Sequence, residues 1–175
     1  MLRLRRYIIA FFIIIICFVL QTTVFQWISF GGIVPNILLI IVICYGLMQG
    51  EYAGIFVGFI SGLLIDIFFA SFIGLDAFIY MVIGYLCGKF HRLFVPEDVK
   101  LPLIMVTLGD LLYSFTYYVF MFLLRGRFDL SFYFGKIILP ELVYTLLISL
   151  GVYPLLLLLH IKLDRHDEER GMKFV

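Results

Sequence analysis

Charge is scarce in this chain. Of its 175 residues only 14% are Asp, Glu, Lys or Arg, and the net charge is +1. A soluble domain carries about 25% charged residues, because its surface has to be clothed in polar groups. Here 64% of residues are hydrophobic and the mean hydropathy is +1.14. That excess cannot fit inside one water-soluble core, which excludes a soluble enzyme and a disordered chain. The near-neutral balance implies no nucleic-acid partner. The three cysteines, Cys17, Cys44 and Cys87, fall in separate apolar blocks at no metal-ligand spacing and read as small apolar fillers. His91, His160 and His166 lie at block ends, so no metal site is expected. No nucleotide loop, nucleophile elbow or zinc motif is present. The expectation is therefore a protein with no catalytic residue and no cofactor, not an enzyme.

What the chain does have is a series of long apolar blocks, each limited by a short charged or Gly/Pro break. That is how a polytopic helical membrane protein reads, whereas a β-barrel would alternate in segments of ~10 residues. The expected fold is an all-α integral membrane protein of six transmembrane helices. A membrane domain over 1–162 is predicted to hold spans at about Tyr7–Gln26, Pro35–Met48, Tyr52–Phe69, Ile73–Phe90, Leu101–Leu124 and Ile137–His160. Residues 163–175 form a charged tail, and no soluble domain is expected. The second span is short for a bilayer that needs roughly 20 residues. It should tilt into protein contacts or borrow residues from its flanks. The first block starts on Arg3, Arg5 and Arg6 but is followed by Gln21-Thr22-Thr23-Val24-Phe25, with no A-x-A-like cleavage site, so it reads as an uncleaved helix.

Lys and Arg set the orientation. With the N-terminus inside, the cytoplasmic side holds Arg3, Arg5, Arg6, Lys89, Arg92, Lys100, Lys162, Arg165, Arg170 and Lys173, and the outer side only Arg125, Arg127 and Lys136. Ten against three predicts both termini in the cytoplasm, with Trp27 at the outer interface.

Gly54, Gly58, Gly62 and Asp66 recur every four residues in the third span, so on a helix they form one slowly turning stripe. Glycine lets a neighbouring backbone approach closely. The stripe is either an internal packing face or a docking face for a partner's transmembrane helix. Asp66 is roughly 21 Å above Tyr52 at 1.5 Å per residue, in the outer part of the membrane. Asp76 and Glu141 fall at similar depth, bordered by Arg125, Arg127 and Lys136, which predicts an outer polar cluster. A bare carboxylate facing lipid would cost several kcal/mol. Asp66 therefore either belongs to this cluster and supports docking, or braces the hairpin between the third and fourth spans through Ser71. An internal brace predicts that Asp66→Asn is nearly neutral. Asp110 differs, being near mid-membrane with Thr107 and Ser114 on its helical face. The expectation is a structural polar contact to those hydroxyls or to a facing helix. Aromatics crowd the outer half of the fifth span and read as an interfacial belt, and Pro154 should kink the last helix.

These residues resemble the MreD family of rod shape-determining integral membrane proteins over nearly the whole chain. The resemblance runs through the basic N-terminus, Gln21, Pro35-Asn36, Gly58-Phe59-Ile60-Ser61-Gly62-Leu63-Leu64-Ile65-Asp66, Gly74-Leu75-Asp76-Ala77 and Gly84-Tyr85. The family shows Pro-Asp where this chain has Pro35-Asn36. The resemblance implies a non-enzymatic component of the bacterial elongation machinery in the plasma membrane. Its implied partner is a bitopic MreC-like protein, and through it MreB, RodA and a transpeptidase. It implies a six-helix fold similar to the S-components of energy-coupling-factor transporters, with Gly58, Gly62 and Asp66 structural or partner-binding. The rival is a vitamin-uptake S-component, which the bulky first helix, Ile8-Ile9-Ala10-Phe11-Phe12-Ile13-Ile14-Ile15-Ile16, disfavours.

Overall fold

The computed structural model describes residues 2–29, 32–69, 73–96, 98–121 and 133–172. They fold into six main helices with no β-strand among the described residues: α1 (Leu2–Thr22), α2 (Ile37–Gln49), α3 (Glu51–Phe69), α4 (Leu75–Lys89), α5 (Lys100–Met121) and α6 (Leu139–Met172). Four stretches are long and apolar enough to cross a membrane: Arg6–Trp27, Glu51–Phe69, Lys100–Phe120 and Phe134–Leu163. Large apolar side chains such as Phe12, Phe68, Leu147 and Leu155 point outward from them, as lipid-facing surface does.

The short second helix has a physical explanation. Every residue from Ile37 to Met48 is buried, so α2 is apolar all round because it is the central post of the bundle. Its 13 residues rise about 20 Å, against a hydrocarbon core of roughly 30 Å. It meets protein rather than lipid and has no thickness to match. Asn36 caps its start, with Oδ1 accepting from the Leu39 N–H at 3.2 Å. Gly50 ends it at a φ of +90°, a conformation that glycine adopts freely. The Gly50 N–H donates to the Gly46 carbonyl (2.9 Å), and α3 begins at the next residue.

The α1 helix buries a narrow seam, Ala10 and Ile14, one turn apart. It stops at Thr22 instead of reaching Gln26. The Thr22 hydroxyl donates to the Phe18 carbonyl (2.9 Å) and that of Thr23 to Val19 (2.5 Å). Both hydroxyls bond back into the last turn, where the Val19 carbonyl also accepts the Thr23 N–H (2.9 Å). A single separate turn, Val24–Trp27, follows.

The tightest packing lies between α3 and α4. A Cβ on Gly54, Gly58 or Gly62 would fall inside 3.0 Å of the α4 backbone, at Gly84, Tyr80 and Ala77 respectively. Gly84 and Gly88 return the contact, against Gly54 and Glu51, while a Cβ on Gly46 of α2 would strike the Gly84 carbonyl. Three helices thus meet backbone to backbone at one level. A 3-10 turn (Phe90–Leu93) extends α4, and a π-turn (Phe134–Ile138) leads into α6, whose helical path continues through Pro154 to Met172.

Candidate functional site

The start of α1 and the far part of α6 share one end of the bundle, where Arg6, Tyr7, Gln49, Tyr52, His91 and His160 border a cavity of about 810 Å³. His91 is held there by its Nδ1, 2.6 Å from the Leu47 carbonyl. The polar residues singled out from the sequence gather toward the opposite end.

Asp66 is 1% exposed. Its Oδ1 accepts the N–H of Asp76 at 3.1 Å and its Oδ2 that of Ala77 at 2.9 Å. These are first-turn N–H groups of α4, which have no intrahelical acceptor. The residue before that helix, Gly74 (φ +106°), has no side chain to cap them. A carboxylate reaching across from the end of α3 does so instead, and the positive end of the helix dipole favours its charge. The glycine stripe makes this possible, because Gly62, one turn earlier, lets the two backbones come close enough. Of the residues expected to flank Asp66, Ser71, Arg125 and Arg127 lie outside the described residues. Lys136 is exposed on the π-turn.

Asp110 is also 1% exposed, and neither of its oxygens has a hydrogen-bond partner. The sequence had offered Thr107 and Ser114. Thr107 instead donates to the Leu103 carbonyl one turn back (2.8 Å), and the buried Ser114 hydroxyl has no partner either. A hydroxyl on the same helix finds a backbone carbonyl more easily than a carboxylate one turn away. Asp76 (3% exposed) faces the Tyr113 hydroxyl, and its Oδ1 is unpartnered. Glu141 of α6 and the Tyr113 that Asp76 faces come together at one place, which Asp110 does not border.

That place is a second cavity, of about 180 Å³, bordered by Gln21, Asn36, Tyr80, Tyr113 and Glu141 among others. Its wall is a hydrogen-bond network. The Tyr80 hydroxyl donates to Asn36 Oδ1 (2.6 Å), the Asn36 N–H donates to Thr145 Oγ1 (3.1 Å), and the Leu38 N–H donates to Gln21 Oε1 (3.0 Å). The network ties α1, α2, α4 and α6 together. Tyr80, Tyr113 and Thr145 were not singled out from the sequence for this role, since a tyrosine or threonine in an apolar block has no distinguishing spacing. Asn36 did have a signal, an N-cap type of residue immediately before an apolar run.

Three or more His, Cys, Asp or Glu residues placed to share a metal ion do not occur among the described residues. The cysteines are free thiols in the packed interior or at its margin. A family model described as rod shape-determining protein MreD matches residues 1–163. No curated protein and no solved structure matches the chain.

Proposed function

Because the chain belongs to the MreD family of rod shape-determining proteins, we propose that it is a non-enzymatic membrane component of the bacterial cell-elongation machinery. In this reading it docks a bitopic MreC-like partner and supports lateral peptidoglycan synthesis. MreB, RodA and a transpeptidase are reached through that partner. The chain resides in the plasma membrane with both termini cytoplasmic, which the ten-to-three Lys/Arg split supports. The likeness to S-components belongs to the same proposal and is supported by the six helices and a polar cavity at one end of the bundle.

The observation that carries the reading is the family match across 1–163, with the conspicuous family-like block built into one rigid hairpin. Gly54, Gly58 and Gly62 are buried against α4, and Asp66 caps it. Their contribution to docking is to fix the shape of the α3–α4 pair, so that the lipid-facing sides of the bundle present a constant surface to a partner helix.

The deciding experiment is affinity purification of the chain from its native membrane, combined with cell-width measurement after depletion. A single-span partner should co-purify, and depleted cells should widen. Depletion that leaves width unchanged, with no such partner recovered, overturns the proposal.

A further inference from the structure

The cavity at the end where α1 starts and α6 runs out is walled by groups that donate hydrogen bonds or carry positive charge. Arg6 of α1, His91 of the 3-10 turn and His160 of α6 border it, together with the neutral Tyr7, Gln49 and Tyr52. Among the described residues that line it there is no aspartate or glutamate. At about 810 Å³ it has the size of a small-molecule site rather than of a packing gap.

The level of this cavity follows from the stretches able to cross a membrane. Arg6 begins the first of them, Tyr52 is in the first turn of the one that starts at Glu51, and His160 is in the last turn of the one that ends at Leu163. These helices bring the cavity to a membrane–water boundary, the layer that holds lipid headgroups. A basic pocket between transmembrane helices at that layer has the chemistry to receive a phosphate headgroup.

Its side chains suit that anion one by one. The Arg6 guanidinium has five N–H donors in a rigid fork that matches phosphate oxygens, more than one partner can occupy. His91 is held in one tautomer. Its Nδ1 is 2.6 Å from the Leu47 carbonyl, and a carbonyl only accepts, so Nδ1 carries the proton. Nε2 is then the ring atom left for a ligand, and protonating it adds positive charge beside an anion. Arg92, next to His91 on the same turn, is exposed and does not border the cavity.

We propose that this cavity is a binding site for one phosphate group, with Arg6 and His91 as its principal ligands and His160 completing the positive wall. The inference stands independently of the elongation role. The same phosphate occurs on a soluble phosphomonoester and on the headgroup of an anionic phospholipid, and the test distinguishes them.

The full chain is purified in an uncharged sugar detergent, which brings no phosphate of its own. Its thermal unfolding is followed as glycerol 3-phosphate or phosphatidylglycerol is titrated. Sodium chloride at matched ionic strength and diacylglycerol, which has the acyl chains without the phosphate, serve as controls. The expected result is a saturable rise in Tm with a phosphate source, absent with both controls. A response to glycerol 3-phosphate identifies a soluble phosphate, and a response to phosphatidylglycerol alone identifies the headgroup. Apparent affinity should fall about tenfold or more in Arg6→Gln and in His91→Asn. Asparagine keeps a donor near the position of Nδ1, so the bond to Leu47 survives and loss of the ligand is separated from loss of the fold. Arg92→Gln removes the same charge from the same end of the bundle without touching the cavity, and should bind like wild type. A rise with either control equal to that with the phosphates, an affinity unchanged in Arg6→Gln or in His91→Asn, an equal loss in Arg92→Gln, or no response to either phosphate source overturns the proposal.

Discussion

Asp66 shows how one side chain can do work that looks from the sequence like a binding role. An intramembrane aspartate ending a glycine stripe invites a docking reading, and its environment shows two N–H donors waiting for it. Both carboxylate oxygens are engaged, so asparagine is not an equivalent. Only one of its two terminal atoms accepts, and its NH₂ would be turned against the second backbone N–H. Asp66→Asn should therefore lower stability by about 1–3 kcal/mol, contrary to the near-neutrality that a simple brace predicts. Reversible unfolding in mixed micelles checks it; a midpoint equal to wild type means the bidentate cap contributes nothing. Asn36 is the complementary case. Its Oδ1 alone accepts, from Leu39 and from Tyr80, and an aspartate offers the same acceptor.

Among the elements, the α3–α4 hairpin is the part with least freedom. Its glycines are packed against main chain, which cannot swing aside as a side-chain end would. Gly62→Ala brings a methyl group inside 3.0 Å of the Ala77 and Asp76 backbone and should cost about 1–3 kcal/mol. It should also weaken the Asp66 cap one turn away. Gly151 of α6 meets nothing within 4 Å at its Cβ position and is exposed, so Gly151→Ala should show no loss of stability. The pair is measured together by unfolding midpoint. Equal effects at the two positions would refute the close-packed face. The same contrast separates the glycines by role, which their even spacing in the third span does not reveal.

For the whole molecule, the placement of the two ends is the decisive feature. Arg6 and Tyr7 of α1 and His160 of α6 border one cavity, so both termini emerge on the same face of the bundle. Epitope tags placed before Leu2 and after Val175 should become accessible together when the cytoplasmic side is opened, and neither from outside. Tags accessible from opposite sides refute the arrangement, and tags both accessible from outside refute the orientation. The aromatic residues agree with a slab-like environment: Trp27 is 92% exposed at one end and Tyr52 85% at the other, the two levels where amphipathic rings settle.

The sequence by itself determined the class of the molecule, because hydropathy and charge act segment by segment and need no neighbour. Long apolar runs, the sparse Lys/Arg at their ends and the Gly54–Asp66 spacing are local quantities, and they yield a helical membrane chain with a family-like block. Tertiary structure alone decided which helix is the centre, because burial of α2 on all sides depends on the five other helices packing around it. It alone decided that Asp76 faces Tyr113 and that Glu141 lines the cavity beside it while Asp110 does not, since depth along separate helices says nothing about which faces turn toward each other. It also set the partners of Asp66, because a carboxylate's choice between a counterion and an orphaned helix terminus is settled by distance, and the glycines bring the terminus within reach.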